Sequence, residues 1–516
     1  MESWDELAPY SRLVMTKKIL PRRYQIEIIK SVYLGNNILV VLPTGLGKTL
    51  IAIFAIAKAL SEGKKAIILA PTKPLSEQHY NSLSGLLNID AGLITLLTGK
   101  TSSKKRKDIL ETAKVVAATP QTIANDLRSG NIPLGDFGVV VFDECHRAVG
   151  RYAYTYVANE CKVRGVPVVG LTASPGSNRK RISELITALG IERIEVRSST
   201  DPDVEKYVFG KQTDVIRIAP GDTISGIMSK LLPLINQHLD NLYRHGLSPF
   251  RNADNMPKGR LLEIGNNIGK IQASGYKYTA LFDYVYVLNL SHAYELISTE
   301  GIYPFLKYIE TLELRSDKSR GVKSMLSNPS VIAAISDAKA AESSGEEHPK
   351  MGELVRLLNG ELSGSTVIIF AQYRSTIDKI VRLLSGAGIG ARAFVGKKYG
   401  MSAGDQGSAI SDFRTGKFRV LVATSIGEEG LDIPSVDAVV FYEPVPNEIR
   451  DIQRRGRAGR VNFGKVIILV AKGTKDERYL LVSRMKEKRM IEELLMFKRR
   501  MEHYGKTQPA HRQRVL

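Results

Sequence analysis

The sequence predicts an α/β protein: two parallel-sheet α/β domains with an all-helical domain inserted between them. Three observations predict this. Short apolar runs rich in β-branched residues alternate with helical stretches before residue 216 and again after residue 346, the pattern of parallel sheets covered on both faces. Residues 217–345 keep helical spacing but lose the alternation. The chemically suggestive residues fall just after the apolar runs, where open α/β sheets place their sites. At 516 residues the chain is too long for one core. The expected division is 1–216, 217–345 and 346–475, followed by a basic helical tail over 476–516.

PRRYQIEIIKSVYLG (21–35) opens with Pro21 at a helix-starting position and carries apolar residues at helical spacing. NNILVVL (36–42) reads as a buried strand, PTGLGKT (43–49) as a loop and LIAIFAIAKAL (50–60) as a helix. This is a phosphate-binding loop in the context it requires. Gly45 and Gly47 allow the backbone to curl so that successive N–H groups point at one anion, aided by the positive end of the helix, and Thr44 is a further nucleotide-binding candidate. Lys48 supplies a full charge to the β- and γ-phosphates of ATP, and the Thr49 hydroxyl suits Mg²⁺. The strict G-x-x-x-x-G-K-[ST] pattern is not met, because Leu42 stands at the first glycine position.

A second apolar run, GVVVFDECH (138–146), supplies the acidic partner. Asp143 at its end suits the Mg²⁺ shell, and Glu144 suits orienting or deprotonating a water. KKAIILAPTKPL (64–75), AGLITLLTG (91–99), KVVAATPQT (114–122) and VPVVGLTASPG (166–176) complete the first set of strands. The basic run KTSSKKRK (100–107) reads equally as a solvated face or a phosphate contact.

Helices are expected over 224–246, 259–273 and 279–315, the last broken near Gly301 and Pro304, with a polar linker over 338–350. The many tyrosines and phenylalanines of this region read as core rather than as a base-stacking platform. Strands return at 365–375, 388–396, 419–425, 437–444 and 464–473. Between the last of them, QRRGRAGR (453–460) packs four arginines among glycines, which suits an arginine finger opposite a phosphate loop.

The net charge is +20 and the pI about 9.6, an excess that points to a polyanionic partner, most simply nucleic acid. The two cysteines, Cys145 and Cys161, give neither a metal pattern nor a disulfide framework and suit a reducing compartment. The opening MESWDELAPY is polar and acidic, and no apolar run approaches the ~18 residues of a membrane span. A soluble cytoplasmic protein with no membrane partner is expected.

In order, PRRYQ (21–25), PTGLGKT, PTKPL (71–75), ATPQT (118–122), DECH (143–146), TAS (172–174), AQYRST (371–376), ATSIGEEGLDIP (423–434) and QRRGRAGR resemble the motifs of superfamily 2 helicases of the DEAH-like kind. The resemblance spans nearly the whole chain. The branch with a helical insert between its two motor domains holds archaeal Hef, the Fanconi anaemia M translocase, Dicer and the antiviral RNA-sensing helicases. IGEEGLDIP, FYEPVPNEIR (441–450) and QRRGRAGR look most like Hef. Hef-type proteins commonly carry a nuclease after the motor; about 40 residues follow the last strand here, with no Glu-Arg-Lys signature, so a motor part alone is expected.

The resemblance implies two recombinase-like (RecA-like) motor domains and assigns roles. Gln25 would read the adenine edge, and Lys48, Thr49 and Asp143 would hold phosphates and Mg²⁺. Glu144 would be the general base, with Gln453 placing the water, Arg457 and Arg460 as fingers and Asp432 on the ribose. Thr172 and Ser174 would couple the motor domains; Pro71, Thr72, Lys73, Thr119, Gln372 and Thr424 would line a nucleic-acid track. The implied activity is ATP-driven helicase or translocase action on branched or single-stranded DNA, with RNA as the alternative in a duplex-RNA-dependent ATPase. A separate nuclease or sliding clamp is a conceivable partner. The insert is expected to touch a duplex arm through Arg251, Lys258, Arg260, Lys270 and Lys277.

Overall fold

The structure is a computed structural model. It describes residues 3–507 except 36, 100, 151, 199–200, 206, 208–212, 254–257, 316–317, 397–399, 425–435 and 445–463. The first sheet contains β1 (Ile38–Val41), β2 (Lys65–Leu69), β3 (Ile94–Leu97), β4 (Val115–Ala118), β5 (Phe137–Asp143), β6 (Val168–Thr172) and β7 (Arg193–Val196). Their spatial order is β3-β4-β2-β5-β6-β1-β7, and every pairing is parallel. The central strands are apolar along their whole length because helices cover both faces: β1 and β4 are buried at every position. Each fully buried Val, Leu or Ile side chain stabilises the fold by roughly 1.5–3 kcal/mol relative to exposure.

The second sheet is built from β8 (Thr213–Ile218), β9 (Val367–Phe370), β10 (Ala391–Phe394), β11 (Val420–Ala423), β12 (Ala438–Phe441) and β13 (Lys465–Ala471), in the order β10-β11-β9-β12-β13-β8. It too is parallel throughout. β8 corrects the expected boundary at 216/217. The strand straddles that boundary and pairs with β13, so the chain adds an edge to the second sheet before entering the insert. The alternation did not reveal it because its side chains are half-buried or exposed, as on an edge strand.

The insert runs from the helix Asp222–Arg244 through Lys258–Lys270, Gly275–Glu295, Ile302–Glu313 and Arg320–Leu326 to Pro329–Ser343. Ile224, Ile227, Leu231, Ile235, Leu239 and Leu242 line the buried face of the first of these. Tyr286 and Phe305 are buried in the same core, whereas Tyr243, Tyr276 and Tyr278 are exposed. Gly301 breaks the long helical stretch after a π-helical turn at Leu296–Glu300; its φ of 111° and the approach of His348 Cβ to 3.0 Å of a hypothetical Cβ explain the glycine.

Residues 338–350 are not a polar linker. The preceding helix continues to Ser343, and His348 and Lys350 are fully buried. The Lys350 ammonium donates to the Asp476 carboxylate, to Thr299 O at 3.1 Å and to Tyr442 O at 3.0 Å. All three of its N–H groups are therefore used. Glu300 lies beside it, accepting from Thr376 Oγ1 at 2.8 Å; burial pushes its carboxyl up to about 7, against the pull of Lys350. This polar knot joins the insert to the second sheet.

The stretch expected as a basic helical tail over 476–516 packs, in its described part, against both motor domains. The helix Lys475–Thr507 starts in that knot and ends on the first domain. Met490 and Leu494 are buried in the first domain's core, and Lys498 Nζ donates to Glu195 Oε2 at 3.1 Å. An apolar stripe, not net charge, decides where this helix lies.

Lys350→Ala leaves Asp476 and two carbonyls buried without their donor. Breaking one side of a buried ion pair costs about 3–5 kcal/mol. Thermal unfolding of the variant is expected several degrees below wild type; an unchanged midpoint would show that the knot contributes nothing to stability.

Candidate active site

The phosphate loop leaves β1 at its carboxyl end. Gly45 and Gly47 both have φ of 84°, the left-handed region that glycine adopts without strain. Gly47 is the N-cap of the helix Lys48–Ser61. A Cβ there would lie 2.3 Å from Gln25 Nε2, so the loop and the Gln25 side chain share a cradle that only glycine fits. Thr44, Lys48 and Thr49 are half-buried around it. Lys48 Nζ donates to Leu42 O at 3.0 Å. Leu42, the residue after β1, is fully buried and donates its N–H to Thr172 O, so an apolar side chain fills the core where the strict motif has its first glycine.

Gln25 is buried and donates through Nε2 to Leu46 O at 3.0 Å. Its Oε1 is buried with no hydrogen-bond partner among the described residues. An orphaned acceptor beside a phosphate loop fits an amino group such as that of adenine. Tyr24, which sequence reasoning missed, donates to the same Leu46 carbonyl at 2.8 Å and holds the loop down. The motif did not show it because it reads as ordinary apolar spacing.

Asp143 ends β5 and is buried. Burial opposes its charge, but His79 at 2.8 Å, the Lys48 ammonium and a backbone N–H outweigh it, and the carboxyl is held below the usual range. Tyr154, fully buried, donates to Asp143 O at 2.6 Å and lies 3.1 Å from Leu69 O. Both His79 and Tyr154 were missed by motif reasoning; each sits on a helix outside the acidic motif and meets Asp143 only through packing. One well-held carboxylate, with phosphate oxygens to share, is what Mg²⁺ asks for. The residues present fit the ion and the nucleotide.

Glu144 is the single non-glycine residue with positive φ among those described, at φ 49° and ψ 46°. Such a conformation costs on the order of 1–3 kcal/mol and persists only where the surroundings enforce it. His146 Nδ1 stands 3.3 Å from Glu144 Oε2 and 3.1 Å from Thr172 Oγ1. Thr172 Oγ1 donates to Ser174 O and accepts from Ser174 N, each at 3.1 Å. Ser174 Oγ in turn donates to Met490 Sδ at 2.9 Å. A hydrogen-bonded path thus runs from His146, whose ring lies beside Glu144, through Thr172 and Ser174 of the TAS segment to the last helix. Cys145 is packed between; burial pushes its thiol well above the usual range and keeps it inert.

Pro71, Thr72 and Lys73 follow β2 and Thr119 follows β4, adjacent strands of the first sheet; all are half-buried. Thr72 and Thr119 are helix N-caps. Gln372 follows β9 and is exposed, whereas Thr424 follows β11 and is buried. The candidate nucleotide residues lie instead after β1 and at the end of β5, with Gln25 on the helix before β1. Arg106 of the basic run is taken from solvent by a paired contact with Asp126 at 2.7 Å. Asp432, Gln453, Arg457 and Arg460 lie outside the described residues.

Two parallel sheets with a phosphate loop and acidic strand end on one of them define a two-domain helicase motor. Residues 22–182 match the DEAD/DEAH box helicase family and residues 349–462 the helicase conserved C-terminal domain. The solved helicase domain of Hef from Pyrococcus furiosus is 42% identical, with a TM-score of 0.73 over 91% of this chain and 100% of that one. A putative ATP-dependent RNA helicase of Methanocaldococcus jannaschii is 40% identical over 93% of this chain and 61% of its own length. The ATP-dependent DNA helicase mph1 of Neurospora crassa is 32% identical over 89% and 41%. The chain belongs to the DEAD/DEAH box helicases, as a motor of the Hef type. It spans about two fifths to three fifths of the length of these curated relatives. No helix among the described residues is long and apolar enough to cross a membrane.

Gly47→Ala adds a left-handed penalty of about 1–2 kcal/mol and displaces Gln25. Nucleotide affinity, measured by calorimetry, is expected to fall tenfold or more with the circular dichroism unchanged. Wild-type affinity would show that the Gln25 cradle is not the base site.

Proposed function

We propose that the chain is an ATP-driven DNA translocase or helicase acting on forked or junction DNA, working in the cytoplasm in replication-fork repair. The observation that carries this reading is the separation of two sites along one sheet edge. The loop and acidic residues read as the nucleotide site follow β1 and end β5, and the half-buried residues read as track follow β2 and β4. The net charge of +20 suits a polyanion gripped by its backbone. The mph1 relatives carry names of DNA helicases. The Methanocaldococcus and Arabidopsis thaliana relatives carry names of RNA helicases, which keeps a duplex-RNA-dependent ATPase as the second reading. ATPase rates on single-stranded DNA, forked DNA and duplex RNA at one salt concentration decide between them. A branched substrate also suits a separate nuclease or sliding clamp as a partner.

In this reading Gln25 takes the adenine edge, and the loop N–H groups with Lys48 take the phosphates. Asp143 and Thr49 would hold Mg²⁺, which would supply positive charge against the phosphates. Glu144 Oε2 accepts no hydrogen bond among the described residues, which suits taking a proton from the attacking water. Gln453 places that water, Arg457 and Arg460 meet the developing charge, and Asp432 meets the ribose. His146 and Thr172 pass the state of Glu144 to Ser174. Hydrolysis loosens the closed pair of motor domains, and each cycle advances the track along one strand.

Lys48→Ala is expected to lose turnover yet keep nucleic-acid binding in a filter assay. Glu144→Gln is expected to bind ATP while turnover falls about 100- to 10,000-fold. Normal turnover in the glutamine variant removes Glu144 as the base.

The insert suits contact with a duplex arm, though by fewer residues than its sequence suggests. Lys277 donates to Gly269 O and Ile271 O at 3.2 and 2.6 Å and so caps a helix rather than facing a phosphate. Arg251 is exposed over the Tyr243 ring at 4.4 Å, Arg260 pairs with Glu263 in solvent, and Lys270 is exposed. Charge reversal of Arg251, Lys258, Arg260 and Lys270 is expected to erase fork preference, lower the salt slope by roughly one per lost contact, and spare turnover on single-stranded DNA. Unchanged fork preference would leave the insert as a spacer.

A further inference from the structure

We infer that His79 is a positioning residue: it holds the Asp143 carboxylate for the metal and ties that carboxylate to the helix whose first turn faces the nucleic-acid strand. The inference rests on the reading above of Asp143 as a Mg²⁺ ligand and of residues 71–73 as track.

The geometry narrows what His79 does. Tyr154 fixes the main chain of Asp143 through its carbonyl, and of β2 through Leu69 O. Only the Asp143 side chain is left to rotate. His79 Nε2 lies 2.8 Å from Asp143 Oδ2, and an ionised carboxylate only accepts, so Nε2 carries the hydrogen. The other ring nitrogen, Nδ1, is buried with no hydrogen-bond partner among the described residues. A histidine placed for packing satisfies both nitrogens or faces water. This one is 5% exposed and leaves a nitrogen orphaned, so the carboxylate sets its position.

The helix that carries it is Lys73–Leu86, capped by the Thr72 hydroxyl, stiffened by Pro74 and anchored in the core by Leu83. Lys73 and His79 are six residues apart, about 9 Å along the axis of one rod. Movement at the first turn is therefore carried to His79 without an intervening loop. Asp143 ends the strand next to β2, so the same small shift lies between the two sites. A strand seated on residues 71–73 settles the rod, and His79 settles the carboxylate.

The test compares His79→Leu, His79→Gln and Asp143→Asn in the full chain. Two quantities are read: the Mg²⁺ concentration for half-maximal binding of a fluorescent ADP analogue, with and without a single-stranded DNA oligonucleotide, and the ratio of stimulated to basal turnover. In wild type the oligonucleotide lowers the Mg²⁺ requirement. His79→Leu is expected to raise that requirement about 10- to 100-fold, as lost outer-shell partners do, and to bring the stimulation ratio towards one. His79→Gln places an amide N–H near Asp143 and is expected to restore most of both. An unchanged Mg²⁺ requirement in His79→Leu overturns the inference, as does a fall in melting temperature alone, or a glutamine variant no better than leucine. An oligonucleotide without effect in wild type overturns the link to the track. If Asp143→Asn leaves the Mg²⁺ requirement unchanged, the metal reading fails first, and the role of His79 fails with it.

Discussion

A carboxylate kept charged inside the protein is the constraint on which the site depends. Asp143 is buried, and burial by itself favours the neutral acid. The fold answers with His79 on one side, Lys48 on another and a backbone N–H. Each answer comes from a different element: the helix after β2, the helix after β1, and the turn after β5. The parallel sheet brings these together because every strand delivers its successor loop to the same edge. The strained backbone of Glu144 belongs to the same arrangement, since a left-handed residue there turns the acidic pair away from the strand direction.

The three folded bodies are tied by contacts that no motif announces. The insert meets the second sheet through Lys350, Asp476 and Glu300, all buried, with every Lys350 N–H donating. The last helix begins in that knot and ends against the first sheet, with Met490 on Ser174 and Lys498 on Glu195. Two chains of contacts leave the acidic strand end: His146–Thr172–Ser174 to the last helix, and His79 to the helix that follows β2. Buried polar contacts hold such chains in place because a half-broken network costs far more than an apolar contact that slides.

Much of the fold was legible. The apolar runs at 38–41, 65–69, 115–118, 137–143, 367–370, 420–423 and 438–441 are strands because a strand covered on both faces leaves no alternation to blur its signal. The phosphate loop was legible because glycine, lysine and threonine have few other reasons to stand in that order. β8 was not legible: an edge strand with half-exposed side chains looks like connecting chain. Residues 338–350 were misread because Lys350 and His348 are polar in any scale of the isolated residue, and only the carbonyls and carboxylate around them make burial tolerable. Tyr24, His79 and Tyr154 were not legible because each acts on a residue far from it in sequence.

The sequence by itself determined the fold class, the helicase family and the identity of the chemical groups, since these rest on local spacing and on residue types that only certain chemistry requires. It determined the charge excess that suits a polyanion. Tertiary structure decided which of those groups are held and by what. It made Lys277 a helix cap and Arg106 an interior ion pair, although composition counts both as surface charge. It set His79 on Asp143 across 64 residues of chain. The reason is that hydrogen bonds and ion pairs act over a few ångströms in space. Sequence spacing reports that distance only within a helix or a turn, and the sheet order decides all the rest.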